Sequence, residues 1–188
     1  MNQPASVLYD KNIREPLFWF LELKYGKVRF MEEIPIRRSR ADVMMVLDGE
    51  LIGVEIKSDA DGYARLPGQV VDYDRFFDRN YLVVGTKHAY SVLERVPAHW
   101  GVITAEYEKE KVDFYLLREA AENPFCQWEA RLDLLWKSEL FRLLDQNRLP
   151  KYRQKSKSFI RGKLIEKADA ATLIKQTSEE LFEREYTL

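Results

Sequence analysis

The stretch ADVMMVLDGELIGVEIK, residues 41–57, contains two apolar segments separated by a tight turn. The first segment covers residues 41–47 and the second covers 51–57, and both are rich in the aliphatic side chains that pack well in strands. Between them lies Asp48-Gly49, a dipeptide that favours a two-residue hairpin loop. The stretch therefore predicts an antiparallel β-hairpin.

Two acidic side chains interrupt the apolar strands of this hairpin. Asp42 and Glu55 are each six residues from the turn, so we expect them to oppose one another at roughly 4.5–5.5 Å. Opposed like charges repel, and a hard divalent cation with oxygen ligands would relieve that repulsion. The carbonyl oxygen of Ile56 is a candidate third ligand. Lys57 points to the same face of the strand as Glu55, because side chains alternate with a period of two.

Two interpretations of these charged residues are open. A metal-activated water beside the ammonium group of Lys57 is suited to attack on a phosphate, which would make the chain a metal-dependent nuclease. Alternatively, Asp42 and Glu55 only neutralise Lys57 in a salt-bridged trio, because ion-pair networks also produce such clusters.

The composition is that of a globular protein with an apolar core. The chain has 188 residues, of which 46% are hydrophobic and 32% are charged, and this allows one domain with or without a small extension. It contains no apolar run near the length of a membrane span, so no membrane partner is expected. The single cysteine, Cys126, excludes an internal disulfide and suits a cytoplasmic location.

Hydrophobic periodicity predicts an α/β core followed by helices only. A mixed sheet flanked by helices is expected over residues 1–125, and an all-helical extension over 126–188. Besides the hairpin, the expected elements are a helix at 9–25, an extended segment at 28–37, a helix at 64–78, a strand at 80–85, a helix at 87–95, a second hairpin at 100–107 and 111–117, and helices at 128–146, 157–167 and 170–185.

The extension contains a strongly basic segment, RLPKYRQKSKSFIRGK, at residues 148–163. A run of basic residues without any acid is expected of a polyanion binder, but a solvated loop and helix start explain it equally well. The extension is thus either a nucleic-acid-binding unit, or a pack of helices that covers the sheet or forms a homodimer. The candidate nucleic-acid-binding residues of this segment are Lys151, Arg153, Lys155, Lys157 and Arg161.

A third element follows the hairpin on the helix predicted at 64–78. It reads Gln69-Val-Val-Asp-Tyr73. The order Asp42, then Glu55-x-Lys57, then Gln69-x-x-x-Tyr73 resembles the PD-(D/E)XK phosphodiesterase superfamily, in particular its RecB-type branch with a QxxxY element. The resemblance is strongest to small bacterial and phage-associated members and covers about residues 28–107. Ala41 stands where the superfamily name has proline.

The resemblance implies a restriction-endonuclease-like core that hydrolyses nucleic acid, with DNA as the expected substrate and Mg²⁺ or Mn²⁺ as the cofactor. Asp42 and Glu55 would be metal ligands, and Lys57 would orient or activate the attacking water. Gln69 and Tyr73, four residues apart on one helical face, would support the site or contact the nucleic-acid backbone. Helix surface and core packing explain these last two residues as well.

The same resemblance implies one further acid, and three arginines are candidates because of their position and chemistry. An additional acid often joins this kind of site, and the choice between Glu22 and Glu33 is open. Arg38, Arg40 and Arg65 flank the motif and would either clamp phosphates or balance the carboxylates. A protein of another class, a nucleic-acid-binding or adaptor protein without turnover, is the alternative to the nuclease.

Overall fold

The computed structural model describes residues 10–59, 61–85, 92–108 and 111–185. Six strands form one sheet in which they are arranged in chain order. The helices and strands are α1 (Asp10–Tyr25), β1 (Arg29–Ile36), β2 (Ser39–Val46), β3 (Leu51–Lys57), α2 (Leu66–Phe76), β4 (Arg79–Gly85), β5 (Gly101–Glu108), β6 (Lys111–Arg118), α3 (Lys137–Gln146), α4 (Lys157–Lys167) and α5 (Ala170–Phe182), with short 3₁₀ helices at Val92–Glu94 and Trp128–Asp133.

The sheet is mixed, as predicted. Strands β1, β2 and β3 are antiparallel neighbours, β3, β4 and β5 run parallel, and β6 returns antiparallel to β5. The hairpin at 41–57 is confirmed: Val46 pairs with Leu51, and Gly49 in the loop has a φ of 76° that favours glycine.

Helices cover both faces of the sheet. On one face α1 buries Ile13, Leu17 and Leu21, which recur every four residues and therefore form one helical stripe. This stripe packs against the side chains of β2 and β3 that point to the same face, among them Val43, Met45, Ile52 and Val54. The other face is covered by α2 and by the C-terminal helices.

The helical extension shares a core with the sheet. Leu140, Leu164 and Leu181, from α3, α4 and α5, belong to the same buried cluster as Met44 and Leu51 of the hairpin. The extension is thus the cover for one sheet face, which was one of the alternatives left open. The division at residue 125/126 stays a prediction.

The prediction of one continuous helix at 128–146 was wrong. A 3₁₀ helix ends at Asp133, and α3 begins only at Lys137. The break occurs because the Glu139 carboxylate accepts a hydrogen bond of 2.5 Å from the Trp136 backbone N–H, which caps the start of α3. The Trp136 side chain, at the start of α3, is 44% exposed.

The helix predicted at 87–95 is described only in part. Of the helix predicted at 87–95, residues 87–91 lie outside the described residues, and Val92–Glu94 form a 3₁₀ turn. Within the described segments no helix has both the length and the apolar character required to span a bilayer.

Candidate functional site

Strand β3 places Glu55 and Lys57 side by side beneath α2. The two side chains point to the same face, as the strand period requires, and they are 1% and 4% exposed. The ammonium group of Lys57 directly contacts Oε1 of Glu55. Burial of this charged pair is tolerated because further hydrogen bonds satisfy the carboxylate.

Helix α2 supplies those hydrogen bonds. The Gln69 side-chain amide donates to Oε1 of Glu55 at 2.5 Å, and the Tyr73 hydroxyl donates to Oε2 at 2.6 Å. Both side chains reach the same carboxylate because they are four residues apart on one helical face. Helix α2 lies so close to β3 that the strand needs a glycine where the two meet. A Cβ at Gly53, which points to the same face as Glu55, would collide with the rings of Tyr73 and Phe77.

Asp42 joins the cluster from β2. Val43 pairs with Val54 in the β2–β3 register, and one residue further along this register Asp42 faces Glu55. The Asp42 carboxylate accepts a hydrogen bond of 2.7 Å from the Ile56 N–H. The Asp42 N–H donates to the Tyr73 hydroxyl at 3.1 Å, so this hydroxyl links both strands. The five residues predicted to be catalytic are thus brought together.

The surroundings of Asp42 disfavour the ionised form of its carboxyl group. Burial, followed by the charge of Glu55, raises the pKa of the Asp42 carboxyl from 3.8 to about 7, while Lys57 and Arg14 act in the opposite direction. Burial and the two carboxylates also raise the pKa of the Tyr73 hydroxyl well above its usual value. Tyr73 is therefore a hydrogen-bond donor at physiological pH, and Asp42 is close to its titration point.

Arg14 on α1 was missed by the sequence analysis. Its guanidinium donates to the Asp42 carbonyl oxygen at 3.2 Å and to the Glu33 carboxylate at 2.5 Å, and lies 3.9 Å from Oδ1 of Asp42. It also donates to Glu32 at 2.9 Å. The only sequence signal is a basic residue next to the buried stripe of α1, which is too common to single it out.

The two candidates for an additional acid have different surroundings. Glu33 has an unusual backbone φ of 56° and is held by Arg14 and by Arg40, the latter at 2.6 Å. Glu22 is exposed on α1 and lies two turns, roughly 12 Å, along the helix from Arg14. The structure thus brings Glu33, but not Glu22, to the neighbourhood of Asp42.

A cleft of about 920 Å³ opens above the cluster. Its lining includes Ile56 and five basic and four acidic side chains, namely Arg37, Arg38, Arg40, Lys57 and Arg65, and Asp42, Glu55, Asp61 and Asp72. Arg40 forms an ion pair with Glu33, which agrees with the alternative that the arginines balance the charge of the carboxylates. Arg38 and Arg65 also line the cleft, and so does Arg37, which the sequence analysis did not select.

The five candidate residues of the basic segment lie elsewhere, since none of them lines this cleft. Several are engaged within the extension. Lys151 pairs with Asp145 at 3.0 Å, Lys157 donates to the Asp133 carbonyl oxygen at 2.7 Å, and Arg161 contacts the Asp133 carboxylate. Lys155 lies over the ring of Phe159, and Arg153 is exposed.

Asp42 and Glu55 are the two carboxylates that converge in this site. Within the described parts of the chain there is no group of three or more His, Cys, Asp or Glu side chains arranged to hold a metal ion. The carboxylate oxygens of Asp42 and Glu55 are ligands that a hard cation prefers. Ile56, which lies between Glu55 and Lys57, lines the same cleft. The donor set fits a weakly coordinated ion that keeps most of its water ligands, as Mg²⁺ does.

Comparison with known proteins gives a different family from the one that the motifs resemble. A family model described as Bacteriophage P4 protein cII matches residues 9–187. A curated relative, Protein cII of Enterobacteria phage P4, is 32% identical over 145 residues, which is 76% of this chain and 55% of the relative. The chain thus spans about half the length of that relative. No solved structure matches.

These matches correct the family assignment. The model that matches nearly the whole chain is that of the phage protein and not that of a PD-(D/E)XK nuclease. The assignment to that superfamily was therefore wrong. It rested on three short elements, whereas the family match extends over both the sheet and the C-terminal helices. The predicted association with phage is confirmed.

Proposed function

We propose that this chain, which belongs to the bacteriophage P4 cII family, is a divalent-cation-dependent nuclease that hydrolyses phosphodiester bonds of DNA. One observation carries the proposal. Asp42, Glu55, Lys57, Gln69 and Tyr73 converge at the base of a cleft whose rim is rich in arginine. Acidic, ammonium and guanidinium groups at one point are the combination that phosphoryl chemistry requires.

The carboxylate pair supports cation binding. Burial and, after it, the charge of Glu55 raise the pKa of Asp42 to about 7, so the ionised carboxylate is poorly stabilised without a further cation. Mg²⁺ or Mn²⁺ held by Asp42 and Glu55, with the Ile56 carbonyl oxygen as a further candidate ligand, would stabilise the ionised form of both carboxylates. When bound, the cation would activate a water molecule and neutralise charge on the phosphate.

The other residues have distinct roles in this proposal. Gln69 and Tyr73 hold the Glu55 carboxylate in one orientation through hydrogen bonds of 2.5 and 2.6 Å. Lys57 brings a positive charge to the reacting phosphate and limits the net charge of the site. Arg38 and Arg65 bind phosphates at the cleft rim, since guanidinium geometry suits them.

The finer part of the fold prediction, a restriction-endonuclease-like core, belongs to the same proposal. Its support is the arrangement of Asp42 on β2, Glu55 and Lys57 on β3, and Gln69 and Tyr73 on α2 around one cluster. A cytoplasmic location is proposed as well, because a chain with one cysteine and a nucleic-acid substrate suits a reducing compartment.

A second candidate function has one observation in its favour. Lys57 contacts Glu55 directly, and both oxygens of this carboxylate accept hydrogen bonds from neighbouring side chains. Such a closed network also suits a nucleic-acid-binding or adaptor protein in which the cluster only stabilises the fold. In that case the arginine cleft would bind nucleic acid without cleaving it.

Cleavage assays separate the two functions. Supercoiled plasmid, single-stranded DNA and RNA are incubated with the purified chain in Mg²⁺, in Mn²⁺ and in EDTA. We expect cleavage of DNA with either cation, and a loss of roughly 100-fold or more in Glu55→Gln and Lys57→Met. The matched controls, Glu179→Gln and Lys175→Ala, alter an exposed pair on α5 and should cleave normally.

The contrary result is equally clear. If the wild-type chain binds DNA but cleaves none of the three substrates with either cation, the binding or adaptor function stands and the nuclease proposal fails. Cleavage that persists in Glu55→Gln at the wild-type rate would also refute the proposed site. Circular dichroism of each variant verifies that the fold is retained.

A further inference from the structure

We propose that the cleft recognises nucleic acid through its backbone phosphates alone, by means of Arg37, Arg38 and Arg65, and makes no contact with the bases. The inference rests on the proposed function for the presence of a nucleic-acid substrate and adds how that substrate is bound. It predicts binding that is independent of base sequence. We refer to these three residues as the rim arginines.

The first support is the unsatisfied charge of the rim arginines. All three side chains are exposed and line the cleft, and none forms a hydrogen bond or ion pair with another described residue. Arg40 differs, since its guanidinium is occupied by Glu33 at 2.6 Å. Three guanidinium groups without partners in the described part of the chain are available to an external anion, and their planar donor pairs match phosphate oxygens.

The second support is the backbone of the β1–β2 hairpin. Ile36 pairs with Ser39, so Arg37 and Arg38 alone form the loop. Arg37 has a φ of 54°, in the left-handed region, where loops of this length favour Gly, Asn or Asp. A long basic side chain held in a strained conformation beside a candidate site points to a functional requirement for its charge.

The loop is also fixed in position relative to α2. The Ser39 hydroxyl donates to the Asp72 carboxylate at 2.7 Å, which ties the start of β2 to the helix that carries Gln69 and Tyr73. Arg65, the residue immediately before α2, faces the same cleft. The rim arginines are therefore held over the acidic cluster by two elements that are hydrogen-bonded to each other.

The third support is the chemistry of the cleft lining. Among the described residues that line it there is no aromatic side chain, and its apolar members are Ile56, Ala64 and Val71, apart from the backbone of Gly68. Proteins that hold single-stranded bases use aromatic platforms, whereas phosphate contacts position the nucleic acid without reading its sequence. The lining therefore favours the backbone as the recognised group.

Binding to a strand without bases tests this inference directly. The dissociation constants of a labelled DNA strand and of an abasic strand of equal length are measured by fluorescence anisotropy in EDTA. We expect values that agree within about twofold, because only the shared backbone is bound. A preference of about tenfold or more for the strand with bases would overturn the inference, since stacking of a single base is worth that much.

A variant of the β1–β2 loop provides the second test, in which the salt dependence of binding is measured. Arg37→Gly/Arg38→Asn removes both charges but supplies a residue pair that suits the turn, so its melting temperature should equal or exceed that of the wild type. We expect it to weaken binding of both strands by a similar factor. The slope of log K against log salt concentration should fall in magnitude by about 1.4 for a single strand.

The matched control is Lys167→Ala/Lys175→Ala, which removes two charges from exposed positions of α4 and α5 and should leave the slope unchanged. An unchanged slope in the loop variant would overturn the inference. Because binding is measured without cation, its outcome is independent of turnover. Backbone binding without cleavage would refute the nuclease proposal alone, and cleavage with a strong preference for bases would refute this inference alone.

Discussion

The Tyr73 hydroxyl donates a hydrogen bond of 2.6 Å to the Glu55 carboxylate in the interior of the protein. The same oxygen accepts the Asp42 N–H at 3.1 Å, so one atom of α2 joins the two acidic strands. Two adjacent strands and the helix that follows them are therefore linked by a single phenol group.

Tyr73→Phe should destabilise the protein by about 1–3 kcal/mol, because it leaves a buried carboxylate oxygen and a backbone N–H without their partner. The change is measured by urea denaturation at neutral pH. Tyr152→Phe is the matched control, since the Tyr152 hydroxyl has no hydrogen bond with the described residues, and it should change stability little. Equal effects in the two variants would contradict the role assigned to Tyr73.

Asp42→Asn should remove a pH dependence of stability. The folded-state pKa of Asp42 is raised to about 7, so between pH 4 and 7 the folded chain retains a proton that the unfolded chain loses. Stability therefore falls as pH rises through this window, by up to about 1.4 kcal/mol per pH unit from this group. The variant should match the wild type near pH 4 and exceed it near pH 7.5.

The measurement is the free energy of unfolding in urea at several pH values without divalent cation. Asp113→Asn, at an exposed position of strand β6, is the control and should follow the wild-type curve. If Asp42→Asn also follows that curve, Asp42 does not titrate as described.

Addition of Mn²⁺ or Mg²⁺ should raise the melting temperature of the wild-type chain, because a cation that binds only the folded state stabilises it by about 2.7 kcal/mol at 100 times its dissociation constant. The rise should disappear in Asp42→Asn and in Glu55→Gln. Differential scanning fluorimetry with and without EDTA provides the measurement.

Two further variants decide which additional acid takes part. Glu22→Gln should keep the full cation response, since Glu22 is exposed on α1 and does not line the cleft. A reduced response in Glu33→Gln would place Glu33 among the ligands. An undiminished cation response in both Asp42→Asn and Glu55→Gln would exclude the proposed metal site.

Gly53→Ala should destabilise the protein by about 1–3 kcal/mol, as expected for overpacking. The added methyl group would collide with the rings of Tyr73 and Phe77 and move α2 away from β3. Cleavage activity should fall with stability. The control Gly162→Ala lies in α4 with open space around it and should stabilise by up to about 1 kcal/mol. Thermal unfolding of both variants checks the two opposite signs.

Arg184→Ala should destabilise the extension strongly. Arg184 and Glu139 are 5% and 1% exposed and are joined at 2.6 Å, and loss of one partner of a buried ion pair costs about 3–5 kcal/mol. Replacement of both by Met and Leu should cost much less. The exposed pair Lys175–Glu179 is the control and should contribute below about 1 kcal/mol. A small effect of Arg184→Ala in urea denaturation would contradict this account.

Local features of the sequence were sufficient to predict the strands around the site. The hairpin at 41–57 follows from its turn dipeptide and its apolar segments, and the common face of Glu55 and Lys57 follows from strand periodicity. The pairing of Gln69 and Tyr73 follows from helical spacing. Each of these relations depends on residues close together in the chain or on one hairpin register.

Relations between distant elements were not predictable in the same way. Arg14 reaches Asp42 and Glu33 only because α1 packs across β1 and β2. The end of the 3₁₀ helix before Trp136 depends on a side-chain cap from Glu139, which competes with an otherwise continuous helical pattern. The family was also misassigned, because short motifs recur in unrelated proteins.

The sequence by itself determined the hairpin, the mixed α/β character and the two facing acids, because turn chemistry and side-chain alternation act over a few residues. The tertiary structure decided that α2 closes on Glu55, that Arg14 holds Glu33 beside Asp42, and that the basic segment lies outside the cleft. Those outcomes depend on how helices pack on the sheet, where buried area and hydrogen bonds from the whole chain are balanced together.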